Sequence, residues 1–219
     1  DVVFVAAGSG LSAVRHALAL LLLRTPTDPP RPRLTLIYGL RDCSHLPYAT
    51  ELAGWAATGR VRLILVVSRG GAEEFEGPLK GAVEAGEALK RLADGWRQPG
   101  PVGWLRKLVA QARGRPPAPV RAMLGPDGGA KTYAQDALAL ALTGGVLGER
   151  RGMDALARTV VVACGRVAVL DGAERALRAA CAAERARARG PFWRGGARRR
   201  AADELACAEF ARQRLFANI

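Results

Sequence analysis

Four short apolar runs dominate this chain: Val2–Ala7 (VVFVAA), Leu34–Tyr38 (LTLIY), Val61–Val67 (VRLILVV) and Thr159–Ala163 (TVVVA). Each is nearly continuous in hydrophobicity and rich in β-branched residues. That is the pattern of a strand buried on both faces, not of a strand with one wet side. Between and after them lie helical stretches. Ser12 can cap a helix with Val14, Leu18, Leu21 and Leu22 on its apolar face, and Pro47–Ala57 starts with a proline suited to a first helical turn. Thr132–Leu142, Asp171–Arg187 and Ala201–Arg212 complete the series. Strands of this kind alternating with helices predict a parallel sheet covered by helices on both sides, a doubly wound α/β fold.

Two stretches fall outside the alternation. Gly70–Ala130 separates a strand from the next helix and is rich in Gly, Pro and Ala. Only Ala82–Leu92 and Trp104–Ala112 read as short amphipathic helices within it, and Arg113–Pro119 (RGRPPAP) is linker-like. So long a connection is expected to be an insertion. Residues 187–200 form a second irregular stretch before the last helix. Thr25–Arg33 contains four prolines and is expected to be loop.

Composition bounds the function classes. With 219 residues, 49% of them hydrophobic, the chain can bury a core without metals or disulfides, as one large domain or two small ones. The longest apolar run, Ala17–Leu23, is too short to cross a bilayer, so no transmembrane segment is expected. Cys43, Cys164, Cys181 and Cys207 show neither close pairing nor zinc-ligand spacing, which predicts no disulfide framework and no metal site and points to an intracellular, reducing compartment. A net charge of +13 favours anionic partners or, equally, reflects a solvated arginine-rich surface. Aromatic content of 5% argues against a stacking platform for single strands, and no nucleic-acid reader motif is present. Asp1 leads directly into the first strand, so the chain reads as part of a longer polypeptide.

The residues able to do chemistry cluster just after strands, where ligands of open α/β sheets bind. Gly8-Ser9-Gly10, between a strand and a helix, offers backbone N–H groups and a positive helix end to a phosphate, or is simply a tight turn. It lacks the full dinucleotide fingerprint, because position 13 is alanine. Arg41 follows Gly39. Ser68-Arg69 end the third strand, where an adenosine ribose would lie, and an arginine there can pair with a 2′-phosphate. Lys131, Tyr133 and Gln135 alternate as a cation, a stacking ring and an amide. Cys164, before Gly165, is either a small buried hydrophobe or a thiol facing a ligand.

Taken in order, these segments resemble the NADP-binding module of the ferredoxin–NADP reductase superfamily, and within it the diflavin branch of NADPH–cytochrome reductases. The glycine–threonine–glycine loop of that family corresponds to GSGLSAVR, Gly8–Arg15. Its tyrosine–glycine–x–arginine segment corresponds to Tyr38–Arg41, followed by Tyr48 and Glu51-Leu52. Ser68-Arg69, KTYAQD (Lys131–Asp136), Cys164-Gly165 and the closing RLFANI (Arg214–Ile219) match the remaining segments. The resemblance covers most of the chain outside the two irregular stretches. It implies a five-stranded, Rossmann-like parallel sheet in three αβα layers.

The resemblance also implies roles. Gly8, Ser9 and Gly10 would lie against the pyrophosphate and nicotinamide, with Arg41 near the pyrophosphate. Ser68, Arg69, Lys131 and Tyr133, with Gln135 nearby, would grip the 2′-phosphate, which implies NADPH over NADH. Cys164 and Gly165 would sit beside the nicotinamide, and Cys164, Ser9 and Asn218 would form the hydride-transfer cluster toward FAD. FAD and FMN modules would precede this one in the same polypeptide, and the final acceptor would be a haem or iron–sulfur protein. Some positions depart from the family pattern: Ala13 stands for proline, Arg166 for an acidic residue, Leu170 for methionine, Leu215 for tyrosine and Asn218 for aspartate. An amide cannot stabilise a developing nicotinamide cation as a carboxylate does. A reductase-like module without catalysis, kept as a binding or scaffold unit, is therefore the alternative reading.

Overall fold

The computed structural model describes residues 1–24, 32–97, 134–144, 156–188, 205–209, 211 and 215–218. In chain order the elements are β1 (Val2–Ala7), α1 (Gly10–Arg24), β2 (Leu34–Leu40), α2 (Ala49–Ala57), β3 (Val61–Val67), α3 (Gly77–Arg97), α4 (Ala134–Gly144), β4 (Val160–Cys164), α5 (Val167–Ala188) and β5 (Leu215–Asn218). Helical backbone also spans residues 205–209. Helices alternate with strands, and every strand pairing is parallel.

The order across the sheet is β3-β2-β1-β4, with the short β5 paired beyond β4. The chain therefore builds outward from β1 through β2 to β3, then crosses back to the other flank of β1. The switch falls between β1 and β4. Register aligns the strand ends: Ala7 sits opposite Gly39, Leu40 opposite Val67, and Ala6 opposite Cys164. Gly8, Arg41, Ser68 and Gly165 consequently leave the sheet along one edge. At the opposite edge Arg33 donates two hydrogen bonds to the Asp1 carboxylate, at 3.1 and 2.8 Å.

Alternate residues of each strand feed two cores. Phe4, Ala6, Leu36, Tyr38, Leu63 and Leu65 pack with Leu11, Val14 and Leu18 of α1 and Leu52 of α2. Val3, Val5, Ile37, Ile64, Val66, Val161 and Ala163 pack with Leu138 of α4 and with Ala173 and Leu177 of α5 on the other face. Both faces are thus dry, which explains the unbroken apolar runs.

The structure corrects the sequence reading at one place above all. The stretch 70–130 is not an insertion from its start, because α3 packs on β3 and is core. Its Ala82 and Val83 join the first cluster and Leu89 the second, so α3 wraps the β3 side of the sheet. One glycine in this stretch, Gly86, has a packing reason. A Cβ on Gly86 would lie 2.8 Å from the Leu65 carbonyl carbon, so only glycine lets the helix approach the strand this closely. Residues 98–130, including Trp104–Ala112, lie outside the described residues, as do 189–200 of the second irregular stretch. Boundaries also move: α2 starts at Ala49 rather than Pro47, after Tyr48 in the left-handed region at φ 58°. Helix α5 starts at Val167, directly after the Cys164-Gly165 turn, rather than at Asp171.

Among the described residues no helix is long and apolar enough to cross a membrane.

Candidate functional site

The site lies at the switch point, where two strand-to-helix turns meet. Gly8, at φ +58°, turns the chain out of β1, and Gly10 opens α1. A Cβ on Gly10 would stand 2.6 Å from the Cys164 carbonyl carbon and 2.9 Å from the Gly165 nitrogen. Gly165 in turn is folded against Ala7, with a notional Cβ 3.3 Å from its carbonyl oxygen. The two turns therefore touch backbone to backbone, and no side chain fits between them. The structure brings the Gly8-Ser9-Gly10 and Cys164-Gly165 segments together.

The loop is held from below. The hydroxyl of Tyr38, on β2, donates to the Gly8 carbonyl at 3.2 Å, and burial pushes the Tyr38 pKa above its ordinary value. The Leu11 and Ser12 amides donate to the Gly8 and Ser9 carbonyls at 3.3 and 3.1 Å. The preceding amides, of Ser9 and Gly10, meet no acceptor among the described residues, and Gly8 and Ser9 are exposed. Although Gly10 itself is buried, unpaired N–H groups at the start of a 15-residue helix form a place where negative charge is stabilised.

A second group of side chains locks α1 to α2. Arg15 pairs with Glu51 and stacks over the Tyr48 ring, its guanidinium carbon 4.5 Å from the centroid. The Tyr48 and Ser12 hydroxyls lie 3.3 Å apart. The Glu51 carboxylate, chiefly through its hydrogen bond, raises the Arg15 pKa. These residues sit in the motif segments that carry the family resemblance, which implies no individual role for them. Their types, a cation, a ring and an acid on neighbouring helices, are the only sequence signal that could have revealed the cluster.

Beyond β2 and β3 the backbones stay paired. The Ser68 amide donates to the Leu40 carbonyl at 3.0 Å, and the Arg69 amide to the Arg41 carbonyl at 2.7 Å. Arg41, Ser68 and Arg69 are all exposed, so two arginines follow adjacent strands at the same sheet edge as the glycine loop. Acidic groups lie close by. Asp42, beside Arg41, accepts hydrogen bonds from Ser44 at 2.6 Å and from His45 at 2.5 Å, and these bonds hold its pKa below the ordinary carboxylate value. The Glu74 side chain folds back over Gly70 and Glu73 over Gly71. Glu74 also accepts a hydrogen bond from the Cys43 thiol, which is the main reason that thiol's pKa is raised.

Lys131 and Tyr133 lie outside the described residues, as does the side chain of Gln135. The first described residue after them, Ala134, rests on Gly39 at the end of β2, where a Cβ would be 3.2 Å from the Ala134 Cβ. The start of α4 thus reaches the same sheet edge. The Asn218 backbone pairs with Cys164 across β4 and β5, and its side chain lies outside the described residues.

No disulfide joins any of the four cysteines, as their spacing suggests. The spacing gives no sign that Cys181 of α5 and Cys207, both buried, bring their sulfurs to 2.8 Å. No group of three or more His, Cys, Asp or Glu side chains gathers for a metal among the described residues.

Compared with models of known protein families, the chain matches none. No curated protein matches it either.

Proposed function

We propose that this chain is the NADP(H)-binding module, residues 1–219, of a flavoprotein reductase related to the diflavin branch of the ferredoxin–NADP reductase superfamily. On this reading the sheet is a five-stranded, doubly wound, Rossmann-like one, and an insertion falls between α3 and α4. The observation that carries it is the convergence at one sheet edge of the Gly8–Gly10 turn, the Cys164-Gly165 turn and the Arg41–Arg69 pair.

The residues present fit the nucleotide. Ser9 and Gly10 amides at the start of α1 suit a pyrophosphate, with Arg41 alongside. Arg69 and Ser68 suit the adenosine 2′-phosphate, a dianion whose absence would leave the arginine unpaired. Lys131, Tyr133 and Gln135 are assigned to the same end by motif, and the seat of Ala134 on Gly39 supports that assignment. Cys164 and Gly165, against Gly10, would border the nicotinamide. When bound, NADPH supplies the hydride that FAD of a neighbouring module accepts before FMN and a haem or iron–sulfur partner. Ser9 and Cys164 would orient the ring through their hydroxyl and thiol. A second reading, a degenerate reductase-like module serving as a scaffold, is favoured by Asn218, which holds the register position opposite Cys164 where a carboxylate would be expected.

Retention on immobilised 2′,5′-ADP tests binding. The unaltered chain is expected to be retained and Arg69→Ala to flow through, whereas flow-through of the unaltered chain would overturn the proposal. For the catalytic reading, the parent polypeptide with its flavins should reduce ferricyanide with NADPH much faster than with NADH. Bound flavin without turnover would establish the scaffold reading.

A further inference from the structure

We propose that Cys181 and Cys207 form a redox pair that closes to a disulfide and staples the 205–209 segment to α5. Two observations carry this, and neither depends on the nucleotide reading. First, the sulfurs lie 2.8 Å apart across a sequence separation of 26 residues. A bonded pair needs about 2.05 Å, so closure requires a shift well under an ångström. Second, the pair is not part of a metal-ligand cluster among the described residues. Two sulfurs leave a tetrahedral metal site half built, and no additional His, Cys, Asp or Glu completes a group of three among the described residues.

The location gives the bond a consequence. Cys181 is anchored on the 22-residue α5, whose Ala173, Ala176 and Leu177 sit in the core. Cys207 belongs to the short helical segment just ahead of β5. Among the described residues that segment buries only Cys207 and, slightly later, Ala211, while Leu205 is 73% exposed. Local opening of the segment, which has little apolar surface to lose, exposes Cys207 far more readily than opening of α5 exposes Cys181. Cys207 is therefore the attacking thiol and Cys181 the resolving one.

The chemistry balances with a small-molecule disulfide of the glutathione type as oxidant. The Cys207 thiolate attacks one sulfur of that disulfide, breaking its S–S bond and expelling one small thiolate. Cys181, deprotonated, then attacks the Cys207 sulfur of the mixed disulfide and expels the second. The protein loses two protons and two electrons, and both small thiols carry them away. Closure fixes the segment that leads into β5, and so fixes the strand that lies beside Cys164.

The test uses the 219-residue chain, oxidised glutathione, alkylation and mass spectrometry. Before oxidation all four cysteines should alkylate once the chain is denatured. After oxidation Cys181 and Cys207 should be lost from the alkylated set, and a peptide pair joining them should appear under non-reducing digestion. The oxidised chain should also melt on the order of 5–10 °C higher than the reduced one. Cys207→Ala should abolish both the linked peptide and the thermal shift. Because the linked peptide is read on the unaltered chain, a poorly folding variant does not obscure the result. Cys181 and Cys207 both remaining alkylatable, each carrying a separate glutathione, or Cys181 linked instead to Cys43 or Cys164, would overturn the proposal.

Discussion

Two glycines, Gly10 and Gly54, show how much a single missing Cβ can matter. Gly10 sits where a methyl group would press into the Cys164 carbonyl and the Gly165 amide, all of it backbone that cannot swing aside. Gly54, mid-way along α2, has nothing within 4 Å of the same notional atom. Gly10→Ala should therefore cost about 1–3 kcal/mol by overpacking. Gly54→Ala should instead stabilise by about 0.5–1 kcal/mol, because the unfolded chain loses freedom. Urea denaturation of both variants checks the contrast, and equal effects would show that the two turns do not meet. Tyr38 offers a second residue-scale measurement. Burial raises its folded pKa above the unfolded value of 10.0, so the folded state holds the phenolic proton longer. The associated stability is complete below pH 10 and is lost as pH climbs through the folded pKa. Tyr38→Phe removes the hydrogen bond to Gly8 at a cost of about 0.5–1.5 kcal/mol near neutrality. Since phenylalanine has no proton to lose, the stability gap between the two proteins should narrow above pH 10.

Among elements, strands were easier to read than helices, for a physical reason. A strand buried on both faces needs nearly every side chain apolar, so Val2–Ala7 and, apart from the exposed Arg62, Val61–Val67 appear in the sequence with the limits they have in the fold. β4 shifts by one residue, to Val160–Cys164. Helix α3 is legible at Ala82–Leu92, but its full extent, Gly77–Arg97, and its place in two cores are not, because it carries Gly81 and Gly86, residues that ordinarily mark breaks. The requirement at Gly86 is set by the Leu65 carbonyl, a partner about twenty residues away that local pattern cannot reveal. The same holds for the site. Its turns were visible because each follows a strand, whereas the Tyr38 prop, the Arg15–Tyr48–Glu51 cluster and the Cys181–Cys207 contact are made only by tertiary packing. The core status of α3 has a direct measure. Leu89, 1% exposed, packs with Ile64 and Leu138, and Leu89→Ala should cost about 2–5 kcal/mol in chemical denaturation. Were 70–130 a peripheral insertion throughout, the same change would stay within about 0.5 kcal/mol.

At the scale of the whole molecule, the site must be separated from the charge that surrounds it. Thirty-three basic against 20 acidic residues give +13, enough for the surface at large to attract any polyanion. That attraction is screened over about 8 Å at physiological salt and ignores the shape of the anion. The nucleotide site proposed at Arg69 would differ in both respects, because close guanidinium–phosphate pairs depend on where the phosphates stand. Glu73 and Glu74, folded over the glycines next to Arg69, add negative charge that any anion approaching this edge must overcome. Competition at constant ionic strength separates the two effects. For chain held on 2′,5′-ADP at 0.15 M salt, NADP⁺ should displace it at a concentration at least about ten-fold lower than NAD⁺, a difference of roughly 1.4 kcal/mol. Tripolyphosphate, compact and highly charged but without a nucleoside, should compete worse than NADP⁺. If tripolyphosphate wins and the two dinucleotides differ only as their charges do, retention belongs to the arginine-rich surface, and the edge built by β1, β2, β3 and β4 has no nucleotide of its own.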